Sequence, residues 1–121
     1  MAELHDSLLA KFRKRCIKNK FKECKTPMPE FRPDFFGRKY SEQSKIIEEI
    51  VVEVEIKATL YYEHTSTQLV LMDQYISYKK RQGIKVIGYL LIPRSKEIFG
   101  FAISLLDSLF PIDNKIKICQ L

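Results

Sequence analysis

The stretch that decides the fold is residues 46–60, IIEEIVVEVEIKATL. β-Branched residues occupy every even position from 50 to 56, and three of the four odd positions from 51 to 57 are charged, at Glu53, Glu55 and Lys57. A period of two that is rich in Val and Ile predicts a β-strand. Side chains two apart in a strand point to the same face, with Cα atoms roughly 6.5–7 Å apart. The strand therefore sets the carboxylate of Glu55 beside the ammonium of Lys57.

A second strand is predicted just before this one. Phe35 and Phe36 follow Pro33-Asp34 and suggest a short strand that enters the core. The polar run at residues 41–44 has the composition of a hairpin turn. Such a hairpin can return Asp34 to a position beside the acidic strand.

Two helices flank these strands. Residues 3–20 place apolar side chains at three- and four-residue steps, with cations over the remaining surface. The polar run at residues 65–67 offers N-caps for a second helix, which ends near Gly83. Thr65 with Gln68 also fits a capping box.

The rest of the chain completes a sheet. Residues 84–92, IKVIGYLLI, form an apolar run that a proline ends, as in a strand covered on both faces. Residues 97–103 are predicted to form another strand, residues 104–110 a short helix and residues 115–119 an edge strand. The order α-β-β-β-α-β-β-α indicates a single α/β domain over residues 1–121, built on one mixed central sheet.

Composition limits the class of protein. The 121 residues suffice for one core, and 45% hydrophobic with 30% charged residues is the balance of a globular protein. Lys and Arg total 21 against 15 Asp and Glu, which gives a net charge of +6. A basic surface favours a polyanion such as nucleic acid, although it also suits a protein kept soluble by its charge.

The cysteines and the N-terminus bear on the compartment. Cys16, Cys24 and Cys119 are too few and too scattered for a zinc site or a secreted disulfide framework. The first residues lack the apolar region of a signal peptide, and no apolar stretch reaches the ~18 residues of a membrane span. These features predict reduced thiols, a cytoplasmic location (the host cytoplasm if the gene is viral) and no membrane partner.

Asp34, Glu55 and Lys57 form the candidate site. Charges on a central strand are costly to bury without a partner or a metal. Two converging carboxylates, with a backbone carbonyl and waters, suit a hard divalent ion such as Mg²⁺, which can activate water and bind a phosphate oxygen. Lys57 would orient the attacking water or stabilise charge on phosphorus. The alternative is an exposed charge ladder that also includes Glu53, worth roughly a few tenths of a kcal/mol.

Pro33-Asp34 followed by Glu55-Ile56-Lys57 in an apolar strand resembles the PD-(D/E)xK nuclease superfamily. The element order is similar too: a leading helix, a hairpin that carries the acids, a helix and a strand. Gln68 falls where many members carry a Gln. Residues 78–83, running into IKVIGYLLI, look like the helix–Gly–strand junction of archaeal Holliday-junction resolvases. The resemblance spans residues 1 to about 119, but the motif itself is short.

This resemblance implies a restriction-endonuclease-like core and a divalent-metal-dependent DNA endonuclease that uses Mg²⁺, with Mn²⁺ able to substitute. The implied metal ligands are Asp34, Glu55 and the backbone carbonyl of Ile56. Lys57 is the implied catalytic lysine, and Gln68 a further catalytic residue. The resolvase branch implies a role in DNA recombination, as a homodimer that cuts two strands of a Holliday junction.

Two features depart from the resolvase pattern. Resolvases place a Glu in the first helix that faces the metal, and Glu3, His5 or Asp6 is the nearest equivalent acid or base in this chain. Their Gly-rich N-terminal signature is missing. Glu53 stands where an apolar residue is expected, either as an extra ligand or, as we favour from the sequence, beyond the sheet edge in water.

The cations of the first helix are predicted to contact DNA phosphates, or else to form a solvated helix face. They are Lys11, Arg13, Lys14, Arg15 and Lys18. The rival function is that of a non-catalytic DNA-binding or assembly subunit on a degenerate nuclease scaffold. Cleavage of RNA on the same scaffold would differ only in substrate.

Overall fold

A computed structural model describes residues 2–58, 63–113 and 115–121. The described chain is an α/β domain, as the sequence predicts, with three helices and five strands. Within these ranges no helix has the length and apolar character needed to cross a membrane. In chain order the elements are α1 (Ala2–Lys18), β1 (Lys22–Glu23), β2 (Phe35–Tyr40), β3 (Ile46–Val54), α2 (Glu63–Arg81), β4 (Lys85–Ile92), α3 (Lys96–Leu109) and β5 (Ile116–Gln120).

The five strands form one mixed sheet in the order β1-β2-β3-β4-β5. β1 with β2 and β2 with β3 are antiparallel, whereas β3 with β4 and β4 with β5 are parallel. Because parallel neighbours need a crossover connection, α2 links β3 to β4 and α3 links β4 to β5. The carboxyl ends of β3, β4 and β5 therefore lie at one edge of the sheet.

Helices cover both faces of the sheet and create two apolar clusters. α1 buries Leu8, Phe12 and Cys16 against one face, where the sheet contributes Val52 and Leu91. α2 and α3 cover the other face and form a cluster with it, whose buried side chains include Phe36, Val51, Leu69, Met72, Leu90, Ile92, Leu105 and Leu106. This two-sided burial explains why β4 is an almost continuous apolar run.

α2 lies unusually close to β4 at Gly88. A Cβ atom at this position would lie 2.8 Å from Ile76 Cδ1 and 2.9 Å from Met72 Sδ. Real Cβ atoms do not approach carbon or sulfur so closely, so Gly88 permits the contact between helix and sheet. Both atoms lie toward the ends of α2 side chains, which thus rest directly on the β4 backbone, and the first turn of α2 faces the acidic end of β3.

A buried polar network ties α2 to the hairpin of β2 and β3. Glu49 is fully buried, and its Oε2 accepts a hydrogen bond from Arg38 Nε at 2.7 Å. Its Oε1 accepts one from the Tyr75 hydroxyl, also at 2.7 Å. Burial, and then the bond to Glu49, raises the pKa of Tyr75. Each charged oxygen of Glu49 is thereby satisfied inside the core.

Tyr75→Phe is expected to destabilise the protein by about 1–3 kcal/mol, because Glu49 Oε1 loses its donor in a place that water does not reach. Urea unfolding followed by circular dichroism measures the loss. Tyr78→Phe is the matched control, since Tyr78 lies on the same helix and is half exposed. A Tyr75→Phe variant as stable as wild type would show that the bond contributes nothing.

One predicted strand is a helix. Residues 97–103 lie within α3, which also includes most of the predicted short helix at 104–110. Ser95 caps this helix, because its Oγ accepts a hydrogen bond from Ile98 N at 3.3 Å. Ala102, Leu105 and Leu106 then recur at helical spacing and are buried. The prediction of a strand was wrong because a short apolar run is compatible with either element, and its continuation to Leu106 follows helical spacing.

The central strand is shorter than predicted. β3 ends at Val54 rather than near residue 60, so Glu55 and Lys57 do not lie in a strand. Glu55 N still donates to Leu91 O at 3.0 Å, which continues the pairing with β4 by one residue. The predicted side-by-side display of Glu55 and Lys57 on one strand face was therefore wrong.

The second helix begins earlier than predicted and ends as predicted. α2 starts at Glu63, so Thr65 lies inside its first turn and its hydroxyl binds Glu55. Gln68 binds a neighbouring loop, and the predicted capping box of Thr65 and Gln68 was wrong. Gly83 follows α2 with a φ of 78°, a left-handed conformation that favours glycine and ends a helix.

Candidate functional site

Asp34 lies beside the acidic strand, immediately before β2. Its Oδ2 accepts a hydrogen bond from Val54 N at 2.7 Å. Phe35 pairs with Val52, so the same antiparallel register places Asp34 opposite Glu53. Residues opposite one another across an antiparallel pair share a face of the sheet. The hairpin therefore brings Asp34 to the acidic strand, as predicted, but opposite Glu53 and not Glu55.

Glu53 is an acidic residue that is buried without a full set of partners among the described residues. It is 2% exposed, and its Oε2 has no hydrogen-bond partner among the described residues. Burial, then the charge and the contact of Asp34, then the charge of Glu55, raise its pKa to about 10. The expectation that Glu53 lies in water beyond the sheet edge was wrong. Glu53 is buried because it still lies within β3, one residue before the strand ends, and α2 covers the face on which it lies.

Glu55 completes an acidic cluster with Asp34 and Glu53. Its side chain is half-buried, and its Oε2 accepts a hydrogen bond from Thr65 Oγ1 at 2.8 Å. Its Oε1 accepts one from Lys57 N at 3.2 Å. The first turn of α2 and the backbone after β3 thus hold Glu55 at the carboxyl end of the strand, close enough for its charge to act on Glu53.

Lys57 and Ile56 lie beyond the end of β3. Lys57 is exposed and makes no ion pair with any carboxylate of the described chain. Ile56 is half-buried and packs against the apolar cluster on the α1 side. Val54, rather than Ile56, is the residue between Glu53 and Glu55, and its amide donates to Asp34.

Gln68 holds the loop that precedes Asp34. It is buried, and its Oε1 accepts a hydrogen bond from Arg32 N at 2.9 Å. Its Nε2 donates to Glu30 O at 3.4 Å. Both bonds go to backbone atoms just before Pro33-Asp34, so Gln68 positions the Asp34 segment in this structure.

Of the three candidates on the first helix, His5 reaches the cluster. Its Nε2 lies 3.3 Å from Asp34 Oδ1, and its Nδ1 lies 3.3 Å from Asp6 Oδ1. Both contacts are hydrogen bonds only when both ring nitrogens carry protons. Glu3 and Asp6 are exposed, and neither contacts Asp34, Glu53 or Glu55. His64, from α2, approaches Glu53 Oε1 at 3.9 Å but is 74% exposed.

The basic side chains of α1 divide into two groups. Arg13 is held by Glu23 through bonds of 3.0 and 3.3 Å and lies over the ring of Phe35, so it has a structural role. The other predicted DNA contacts are exposed along α1: Lys11, Lys14, Arg15 and Lys18.

The acidic cluster is not arranged as a metal site in this structure. No group of three His, Cys, Asp or Glu side chains within residues 2–58, 63–113 and 115–121 has the geometry of a ready metal site. Glu53 Oε2, however, is a buried acceptor without a donor, next to two more carboxylates. Hard oxygen ligands of this kind are those that Mg²⁺ and Mn²⁺ prefer.

Comparison of the chain with protein-family models, with curated proteins and with solved structures found no match. The fold and the site define an α/β domain whose mixed sheet carries three acidic side chains at the carboxyl end of its central strand.

Proposed function

We propose that this protein is a divalent-metal-dependent nuclease that hydrolyses phosphodiester bonds of DNA, built on a restriction-endonuclease-like core. The observation that carries the proposal is the unpartnered oxygen of Glu53, buried beside Asp34. A carboxyl group with so high a pKa keeps its proton at neutral pH unless a cation replaces that proton. A buried, uncompensated acid is costly, and a metal site is a functional reason for its presence.

Asp34 and Glu53 would hold the cation, and Glu55 would complete its environment. This assignment moves the acid pair of the motif from Asp34 and Glu55 to Asp34 and Glu53, because the register places those two side chains opposite one another. When bound, Mg²⁺ or Mn²⁺ supplies Lewis-acid stabilisation of phosphate charge and makes water more acidic.

The remaining residues would position and stabilise the reacting groups. Glu55, fixed by Thr65, can orient an attacking water through a hydrogen bond. Lys57 is exposed two residues further on, where its ammonium can reach a phosphate oxygen and stabilise the charge that develops there. Gln68 keeps the Asp34 segment in place through its two backbone bonds.

A non-catalytic DNA-binding role is the second candidate function. The exposure of Lys57, away from the described carboxylates, and the lack of a ready set of three ligands in the described ranges favour it. Metal binding separates the two candidates, because a scaffold without catalytic function has no need of an ion at Asp34 and Glu53.

Purified protein is expected to cleave DNA with Mg²⁺ or Mn²⁺ and not in EDTA. One gel with a four-way junction, a flap, a duplex, a single strand and a matched RNA identifies the substrate, and selective cleavage of the junction would support a dimeric resolvase. Calorimetry with Mn²⁺ measures binding without cleavage. If the protein cuts none of these substrates, the enzymatic proposal fails. Mn²⁺ binding without cleavage would leave only a metal-binding protein.

A further inference from the structure

A second feature of the same sheet edge lies outside the acidic cluster. An open cleft of about 660 Å³ is lined by Arg94, Ser95, Lys96, Phe99 and Gln120. Arg94 and Lys96 are exposed, and neither forms an ion pair with an acid of the described chain. The cleft thus offers two free cations, two neutral polar side chains and one aromatic ring.

The strand register places this cleft level with the acidic cluster. Glu55 N binds Leu91 O, which sets Glu55 next to Ile92, and Ile92 pairs with Gln120. Glu55, one residue beyond the end of β3, therefore forms a row with Ile92 of β4 and Gln120 of β5. Two strand spacings of about 4.8 Å separate the ends of that row, so the backbones of Glu55 and Gln120 lie roughly 10 Å apart.

The cleft and Glu53 also lie on the same face of the sheet. Glu53 lies two residues after Val51 on β3, so the two side chains point to the same face. The side chain of Val51 belongs to the cluster under α2 and α3. Gln120 lies two and four residues after Ile118 and Ile116 on β5, so it points to the same face as these two, which pack in that same cluster. A linear ligand can thus touch both places without crossing the sheet.

We infer that the cleft of Arg94, Lys96 and Gln120 binds the phosphate backbone of the polynucleotide whose scissile phosphate lies at Glu53 and Asp34. This inference rests on the proposed function. Roughly 10 Å corresponds to about three nucleotides of a helical strand, which rises about 3.4 Å per nucleotide. The two cations pair with phosphates, and the Phe99 ring, 36% exposed, offers a surface for a sugar or a base.

The cations of α1 are less well placed for this role. His5 marks the end of α1 that reaches Asp34. At 1.5 Å per residue, Lys11 lies about 9 Å and Lys18 about 20 Å further along the helix axis, away from the cluster. Arg13 is occupied by Glu23. Lys11 is therefore about as near to the acids as the cleft is, but α1 packs against the opposite face of the sheet, whereas the cleft lies on the face that carries Glu53.

The test compares two double variants that remove the same charge. Arg94→Gln with Lys96→Gln alters the cleft, and Lys80→Gln with Arg81→Gln alters exposed cations at the end of α2, by the opposite edge of the sheet. Fluorescence anisotropy with labelled DNA in Ca²⁺ gives the affinity at several salt concentrations. The cleft variant is expected to bind about tenfold or more weakly at 0.1 M salt, with a salt slope lower by about 1.4–1.8, whereas the control changes about twofold at most.

A measurement on the wild-type protein complements the variants. Bound DNA is expected to slow acetylation of Lys96, read by mass spectrometry, at least about threefold and to leave Lys80 unchanged. Equal losses of affinity in the two double variants, an unprotected Lys96, or wild-type protein that does not bind DNA would each overturn the inference. If the cleft variant loses affinity while wild-type protein never cleaves, the nuclease proposal fails and the binding surface stands.

Discussion

Glu53→Gln is expected to make the metal-free protein more stable, by up to about 3 kcal/mol at pH 7, and to abolish cleavage. The pKa of Glu53 rises from 4.5 to about 10 in the folded protein. Above pH 4.5 the unfolded chain therefore releases this proton while the folded protein keeps it. Folding stability then falls as pH rises, by about 1.4 kcal/mol per pH unit, until the pH approaches the folded pKa.

The glutamine variant removes this dependence because its amide does not titrate. Urea unfolding in EDTA at pH 5, 7 and 8.5 is expected to show an advantage over wild type that grows with pH. Glu48→Gln is the matched control on the same strand, since Glu48 pairs with Lys39 and Lys85 at 3.8 and 3.9 Å. A Glu53→Gln variant less stable than wild type throughout this range would mean that Glu53 is charged and well partnered.

Added Mn²⁺ should reverse the order. A ligand present at 1,000 times its dissociation constant stabilises the folded state by about 4.1 kcal/mol, more than the advantage of the glutamine variant at pH 7. Wild-type protein is expected to gain this stability, and Glu53→Gln to gain none. The buried acid would then cost stability without the cation and serve the site with it, as in other functional sites where stability and activity conflict.

The elements of this fold follow from local patterns, but the register that builds the site does not. The period-two run of β3 and the amphipathic α1 are visible in the sequence, and α1 formed where predicted, whereas β3 began where predicted and ended early. Whether Asp34 meets Glu53 or Glu55 depends on a two-residue difference in pairing. The turn at residues 41–45 and an irregularity between Lys39 and Tyr40 set that pairing. A polar run predicts a turn but does not fix its length to one residue.

The errors at α3 and β3 share a physical origin in tertiary context. Ile98, Phe101 and Ala102 are compatible with a strand or a helix over a short window. The parallel pairing of β4 with β5 requires a crossover, which selects the helix. The early end of β3 also depends on its surroundings. The pairing of β3 with β2 stops at Val52, and Glu55 instead accepts a hydrogen bond from the hydroxyl of Thr65 in the first turn of α2.

Asp34→Asn is expected to reduce cleavage at least about 10³-fold, which corresponds to about 4 kcal/mol of transition-state stabilisation. The amide oxygen can still accept the bond from Val54 N, so the hairpin should keep its register. The variant lacks the charge that, with Glu53, would hold the cation. Stability in EDTA and affinity for DNA in Ca²⁺ are therefore expected to stay close to wild type, while Mn²⁺ binding is lost.

Asp6→Asn is the matched control, because Asp6 also contacts His5 but is exposed and does not touch Asp34 or Glu53. It is expected to keep cleavage within about threefold of wild type, the scale of a weak surface contact. Cleavage by Asp34→Asn within tenfold of wild type would rule out Asp34 as a metal ligand. If instead Asp34→Asn loses both cleavage and fold, the charge of Asp34 would have a structural role, such as its contact with His5, and the metal assignment would depend on Glu53→Gln alone.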